Sequence, residues 1–335
     1  MNLLSMIKEK SKSAFPARYY PNIEAVIHNI EIANIHMEKA KAQGDYYYTD
    51  VIYRTNQAFD SALYVAYKLL VGDDPKEKSP QGISEYFERN SILTDIVLTQ
   101  LVSYRDQWKK RTSHDQQIFF SQQEALLAIV SVSSFFNVLL DNMLERVAHE
   151  NEKHELSKVS FSLINEVKNY NELPLPLQVV EIINKFSHSL IDEIKGQEES
   201  NLSEYEVLGK LTGFIASIDP AIAIETGKII PIGVSNGRVD LFLEKEGQNV
   251  IVELNSAASH PVKRAKEGRE KIRNLMLASG IDNGLVFIAP GHSNCIMKIM
   301  NDASFFDNRS LNTVVIYPSI MQVQSVDVVD SQVSA

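Results

Sequence analysis

Asp240 and Glu253 stand thirteen residues apart, and two acids so spaced can do metal chemistry. The stretch that carries them runs Gly237-Arg-Val-Asp-Leu-Phe-Leu-Glu-Lys-Glu-Gly-Gln-Asn-Val-Ile-Val-Glu-Leu-Asn255. Val239, Leu241 and Leu243 alternate with other residues as a half-buried strand does. A charged Glu244–Gln248 turn follows, then an apolar strand ending in Glu253-Leu254-Asn255. The spacing predicts a β-hairpin that brings one carboxylate from each strand side by side near a sheet edge, where the pair can hold a divalent cation.

The elements around this hairpin read as an α/β domain over residues 201–320. A helix is expected over Ser203–Ser217, a strand at Ile229–Gly233, and a charged helix over Val262–Ala278. A strand over Gly284–Pro290, a short helix near Asn294–Met300 and a last strand over Asn312–Pro318 complete the order. Of the 12 Lys and Arg residues from Asn201 onward, six fall between Lys263 and Arg273, against 15 Asp and Glu over the same span. The bland reading of that run is a solvated helix face laced by Glu267 and Glu270. Its functional reading is a cationic surface beside the acids.

This arrangement resembles the PD-(D/E)XK nucleases, the restriction-endonuclease-like superfamily. The resemblance covers roughly residues 201–318 and rests on the element order with Gly237-Arg238-Val239-Asp240 and Glu253-Leu254-Asn255. It implies Mg²⁺ or Mn²⁺ held by Asp240 and Glu253 and hydrolysis of a phosphodiester. The family's second motif is usually Glu-X-Lys, and here the lysine position holds Asn255, an amide that positions water without charge. Lys263 or Lys266 from the following helix is the expected replacement cation, and Glu225, or Glu206 on the preceding helix, a candidate further acid.

Residues 1–196 read as helix after helix: Asn22–Gln43, Tyr47–Val71, Ile83–Lys110, a helix from Ser121 opened by a Ser121/Glu124 capping box, then Ser157–Asn169 and Gln178–Lys195. Gly196-Gln-Glu-Glu-Ser-Asn201 marks the expected domain boundary, and 321–335 a polar, valine-rich tail. Cations cluster around His114 in Arg105-Asp-Gln-Trp-Lys109-Lys-Arg-Thr-Ser-His114. With the helix order over about residues 20–150, this run resembles HEPN domains, helical bundles that often act as metal-independent ribonucleases through Arg-X4–6-His. The arginine of the four-residue spacing is replaced by Lys109, which keeps the charge and loses the planar fork. The resemblance implies a secondary site of Lys109, His114 and Arg105 and a homodimer through the helical domain.

The expected class is therefore α + α/β: an all-α HEPN-like bundle followed by a restriction-endonuclease-like domain. Hydrophobic content of 44% and 23% charged residues suit a globular chain. The formal charge of −10 argues against broad, non-specific grip on nucleic acid. No zinc-ligand spacing, phosphate loop or nucleophile elbow occurs. The start Met1-Asn-Leu-Leu-Ser-Met-Ile-Lys8 lacks a signal-cleavage region, and with a single cysteine, Cys295, the cytoplasm is the expected compartment, with no membrane role. The leading expectation is a metal-dependent nuclease, an effector of prokaryotic defence that acts on DNA more readily than RNA. A regulatory partner subunit would hold it in check. The alternatives are an inactive nucleic-acid- or partner-binding protein on the same folds, and a HEPN-type ribonuclease.

Overall fold

The computed structural model describes residues 3–12, 15–111, 119–156, 169–195, 202–232, 235–256, 260–306 and 309–320. It divides into two compact units, Met1–Ser160 with Tyr205–Ser217, and Phe161–Glu204 with Ile218–Ala335. The first is all-helical. The second is a mixed sheet with helices.

The helical unit contains α1 (Leu3–Ser11), α2 (Tyr20–Gln43), α3 (Tyr47–Leu70), α4 (Pro80–Asn90), α5 (Asp95–Tyr104) and α6 (Gln122–Leu156). Gly44 ends α2 at φ 124°, a conformation open to glycine, and lets α3 fold back along α2. The stretch expected as one helix over 83–110 is two. Ser91 adopts the left-handed region at φ 50° and stops α4. The capping box forms as the sequence implies: Ser121 N donates to Glu124 Oε2 at 2.9 Å and Glu124 N to Ser121 Oγ at 3.3 Å. Among the described residues α6 alone is long and apolar enough to cross a membrane, yet 61% of its apolar window is buried. Its Val132, Phe135, Phe136, Leu139 and Leu140 lie in the bundle core with Phe59 and Leu63.

The expected division at 196–201 falls on residues outside the described set. Around it, α7 (Leu175–Glu193) belongs to the sheet unit, whereas Tyr205–Ser217 of α8 (Glu204–Ile218) belongs to the bundle. Two glycines one helical turn apart explain α8. A Cβ on Gly209 would lie 2.1 Å from the carbonyl oxygen of Glu145, and one on Gly213 2.5 Å from that of His149. Only glycine permits so close an approach to α6. The expected helix over 157–169 also lies almost wholly outside the described residues.

The second unit carries β1 (Ala223–Thr226), β2 (Ile229–Ile232), β3 (Ser235–Arg238), β4 (Leu241–Lys245), β5 (Gln248–Ser256), α9 (Pro261–Ser279), β6 (Asn283–Ala289), β7 (Cys295–Phe306) and β8 (Arg309–Ile320). Six strands form one sheet in the order β1-β4-β5-β6-β8-β7, and β2 and β3 form a separate hairpin. β5, β6 and β8 run parallel, with α9 as the crossover from β5 to β6, while β1, β4 and β7 run antiparallel to their neighbours. The short helix expected near 294–300 is instead the start of β7. The run Cys295-Ile-Met-Lys-Ile-Met is short and apolar enough to suit either period, and an unbroken ladder to β8 decides for strand.

Ile272, Leu275 and Met276 of α9 cover Ile251, Val286 and Val315 on one sheet face. On the other face Phe186 of α7 meets Phe287 edge to face, ring centroids 5.9 Å apart. A polar knot ties α7 to the sheet edge: Lys245 Nζ reaches Asp219 Oδ2 at 2.7 Å and Gln178 Oε1 at 3.0 Å, and Tyr170 Oη donates to Asp219 Oδ2 at 3.0 Å.

Gly209→Ala should destabilise the chain by about 1–3 kcal/mol through overpacking. Gly82→Ala on α4, where a Cβ meets only Ser79 Oγ at 3.4 Å, should be neutral or stabilising by up to about 1 kcal/mol. Urea unfolding of the two variants beside the parent chain measures both.

Candidate functional site

The β4–β5 turn fixes the site. Glu246 and Gly247 both take positive φ, 51° and 76°, the backbone of a two-residue type I′ turn. Lys245 is therefore opposite Gln248 and Leu241 opposite Val252, and one step further along the same register sets Asp240 opposite Glu253. Directly opposed residues of an antiparallel pair share a sheet face, here the face under α9.

Asp240 sits just before β4, where the ladder ends. Its carbonyl accepts from Gly227 N at 2.9 Å, and its Oδ2 accepts from Leu254 N at 2.7 Å. Glu253 is 5% exposed. Lys271 Nζ of α9 reaches its Oε1 at 2.5 Å. Its Oε2 is buried with no hydrogen-bond partner, while its side chain lies within hydrogen-bonding reach of Asp240. The two carboxyl groups are thus neighbours, and one oxygen of Glu253 has no donor.

Burial, then the neighbouring charge of Asp240, pushes the Glu253 carboxyl up to about 7, against the pull of Lys271. Burial also raises Asp240, opposed by the Leu254 N–H and the charges of Lys271 and Arg238. Glu204, the first residue of α8, keeps an exposed side chain. Desolvation of its carboxyl, then the charge of Asp240, raises it, with Lys271, Arg264 and Arg238 pulling the other way. Three acids and three cations thus share one field.

Other expected residues stand elsewhere. Lys263 pairs with Glu267 at 3.7 Å with its side chain 74% exposed, and Lys266 is exposed on the same outer face. The cation at the acids is Lys271, two turns further along α9. Glu225 is exposed on β1 and bound to Lys228 at 2.8 Å. Glu206 is buried on the part of α8 that belongs to the bundle, so Glu204 is the residue of this helix whose carboxyl feels Asp240. Asn255 lies one residue pair beyond Glu253 on the α9 face, and its Nδ2 is 3.4 Å from where a Cβ on Gly268 would stand. A signal for Lys271 existed in the sequence: Arg264, Gly268 and Lys271 recur at four- and three-residue spacing, one stripe of a helix whose small middle member allows contact with the sheet.

In the bundle, α5 continues into one π-helical turn, Arg105–Lys109, a distortion frequent at functional sites. Arg105 pairs with Glu88 and Asp106 and donates to Ser84 Oγ at 3.0 Å. Lys109 Nζ meets Asp60 Oδ2 at 2.7 Å. Both line a cavity of about 660 Å³ with Phe59, Ser84 and Glu85. His114 lies outside the described residues. The two expected phosphate-binding cations are thus each held by a carboxylate.

No protein-family model matches the chain, and neither a curated protein nor a solved structure matches it. Function has to be read from the geometry.

The opposed acids set a pH dependence. Glu253 titrates near 4.5 when unfolded and near 7 when folded. Between those values the folded chain holds more protons, so its contribution is fully present below about pH 4.5 and is lost as pH rises through about 7. Glu253→Gln should flatten that slope in denaturant titrations across pH 4–8. In carboxyl NMR titrations, Asp240→Asn should lower the Glu253 pKa and Lys271→Met should raise it.

Proposed function

We propose that this protein is a metal-dependent nuclease whose active site is built on Asp240, Glu253 and Lys271. One observation carries the reading: a buried, donorless Oε2 on Glu253, a side chain that neighbours Asp240. Such a pair is stable with a shared proton or with a cation between the oxygens. Among the described residues no group of three or more His, Cys, Asp or Glu side chains is placed to hold a metal ion. Mg²⁺ characteristically binds through one or two carboxylates and fills its remaining positions with water and substrate phosphate oxygens, so two acids suffice. A Mg²⁺ or Mn²⁺ held there would lower the pKa of a bound water and offset charge on the scissile phosphate.

The chain's own residues do the rest. The Leu254 N–H holds the Asp240 carboxylate in place on the strand. Lys271 takes the part left vacant by Asn255: it offsets the charge of Glu253 and stands where a phosphate bearing extra negative charge would be stabilised. Arg264 and Arg238 add to the positive field that a polyanion meets. Asn255 offers an amide on the same face to orient water. The restriction-endonuclease-like resemblance supports DNA as the substrate, and its union with a HEPN-like bundle supports a role in defence against foreign nucleic acid.

The test is cleavage of labelled DNA and RNA with Mg²⁺ or Mn²⁺. Asp240→Ala should abolish cleavage, and Lys271→Met should slow it about 100-fold or more, as loss of one transition-state stabiliser does. Lys263→Ala and Lys266→Ala should leave turnover within a few-fold of the parent. Mg²⁺ should raise the melting temperature at pH 8 and much less at pH 5.5, where Glu253 holds a proton, and this shift should vanish in Asp240→Ala. Binding without turnover in any metal would overturn the enzyme reading. Metal-independent RNA cleavage that is lost on His114→Ala would move the activity to the bundle.

A further inference from the structure

β7 is the terminal strand of the six-stranded sheet, and sheet edges are normally guarded. Proteins blunt them with bulges, prolines, short length or several charges, because an unpaired row of N–H and C=O groups is a template for another strand. β7 has none of these. It is 12 residues long, contains no proline, and pairs with β8 in one uninterrupted register from Cys295–Ile320 to Phe306–Arg309. Ile296, Ile299, Met300, Phe305 and Phe306 along it are exposed, Phe305 to 82%. Its two charged residues, Lys298 and Asp302, stand four apart on the same sheet face.

The geometry points to a second copy of this chain as the partner of that edge: β7 pairs antiparallel with β7 of the second copy about a two-fold axis at Met300. Symmetry and charge select the register. A two-fold axis turns every opposed pair i, j into j, i. Hydrogen-bonded and non-hydrogen-bonded pairs alternate along an antiparallel ladder, so i and j must share parity. Residues on one face therefore meet the same face of the copy. The register centred on Met300 sets Lys298 opposite Asp302 of the second copy, twice, and every charge on the strand meets its opposite. Opposed charges across strands stabilise; an axis at residue 299 or 301 forgoes both pairs, and one at 298 or 302 sets like charges against each other. Asp302 already receives Arg269 NH1 on Oδ2 at 3.2 Å, which leaves Oδ1 for the incoming lysine. On the reverse face Ile299 meets Asn301, and Met297 meets Ala303. Phe305 packs against Cys295 of the copy. Joining the edges makes one 12-stranded sheet from two copies of six and sets Ile296, Ile299, Met300 and Phe305 of that exposed border against the strand of the copy. This surface differs from the helical one that the HEPN resemblance implies, and it does not depend on the nuclease reading.

Sedimentation of the full chain should show a dimer at micromolar concentration. Lys298→Glu alone sets Glu against Asp302 of the copy, and Asp302→Lys alone sets Lys against Lys298. Each should weaken dimerisation at least tenfold. An equimolar mixture of the two variants should restore it, since both cross-strand pairs are then opposite in charge. Independently, Met300→Cys should form a disulfide-linked dimer under mild oxidation, because the axis brings position 300 against itself at the Cα spacing of an antiparallel pair. Ala303→Cys should not. A chain that stays monomeric at 100 µM overturns the proposal. So does a dimer that survives both single charge reversals and gives no link at position 300, as pairing through the exposed Leu127 and Val130 of α6 would.

Discussion

Two carboxyl groups held opposite each other beneath a helix repel unless something positive or a proton stands between them. Asp240 and Glu253 are in that position, and the second unit is arranged around them. Burial raises both groups, and the charge of Asp240 raises Glu253 further. Lys271 offsets part of this from one side, and the Leu254 N–H from another. The remaining oxygen of Glu253 stays without a donor. A buried unsatisfied acceptor costs on the order of 1–3 kcal/mol, and such a cost is ordinarily tolerated where a ligand relieves it.

Several local features serve that opposition. The Glu246-Gly247 turn sets the register, and a hairpin one residue longer would turn one acid to the other face. Gly268 lets α9 lie against Val286, where a Cβ would come within 2.8 Å of Cγ1. The same approach lowers Lys271 onto Glu253. Gly227 takes φ 63° and leaves room for the Arg238 guanidinium, which a Cβ would meet at 2.5 Å. The restriction-endonuclease-like pattern expects its cation on the strand at position 255. The packing of α9 brings a cation to Glu253 from the helix instead, Lys271.

The bundle follows the opposite logic. Arg105 and Lys109 lie beside a cavity, but Glu88, Asp106 and Asp60 take up their charges. Burial raises Asp60, and the Lys109 ammonium holds it down, which makes the pair a tie between the π-turn and α3. A phosphate entering there has to displace a carboxylate from each cation. In the sheet unit the acids lack a full complement of cations. In the bundle the cations have their acids.

The sequence by itself determined the helical first part, the β4–β5 hairpin with one acid on each side, the parallel crossover through α9 and the capping box at Ser121. These depend on local period and short-range hydrogen bonds, which a chain carries wherever it folds. It did not determine that residues 295–300 form a strand, because a short apolar run fits two periods and only the ladder to β8 chooses between them. It left α8 in the second domain, since contact between Gly209 and the backbone of α6 at Glu145 is decided by surfaces 64 residues apart. It also put the cation at Lys263 or Lys266, nearest in sequence to the acids. Tertiary structure chose Lys271, because the axis of α9 over the sheet, and not distance along the chain, decides which turn of the helix stands above Glu253.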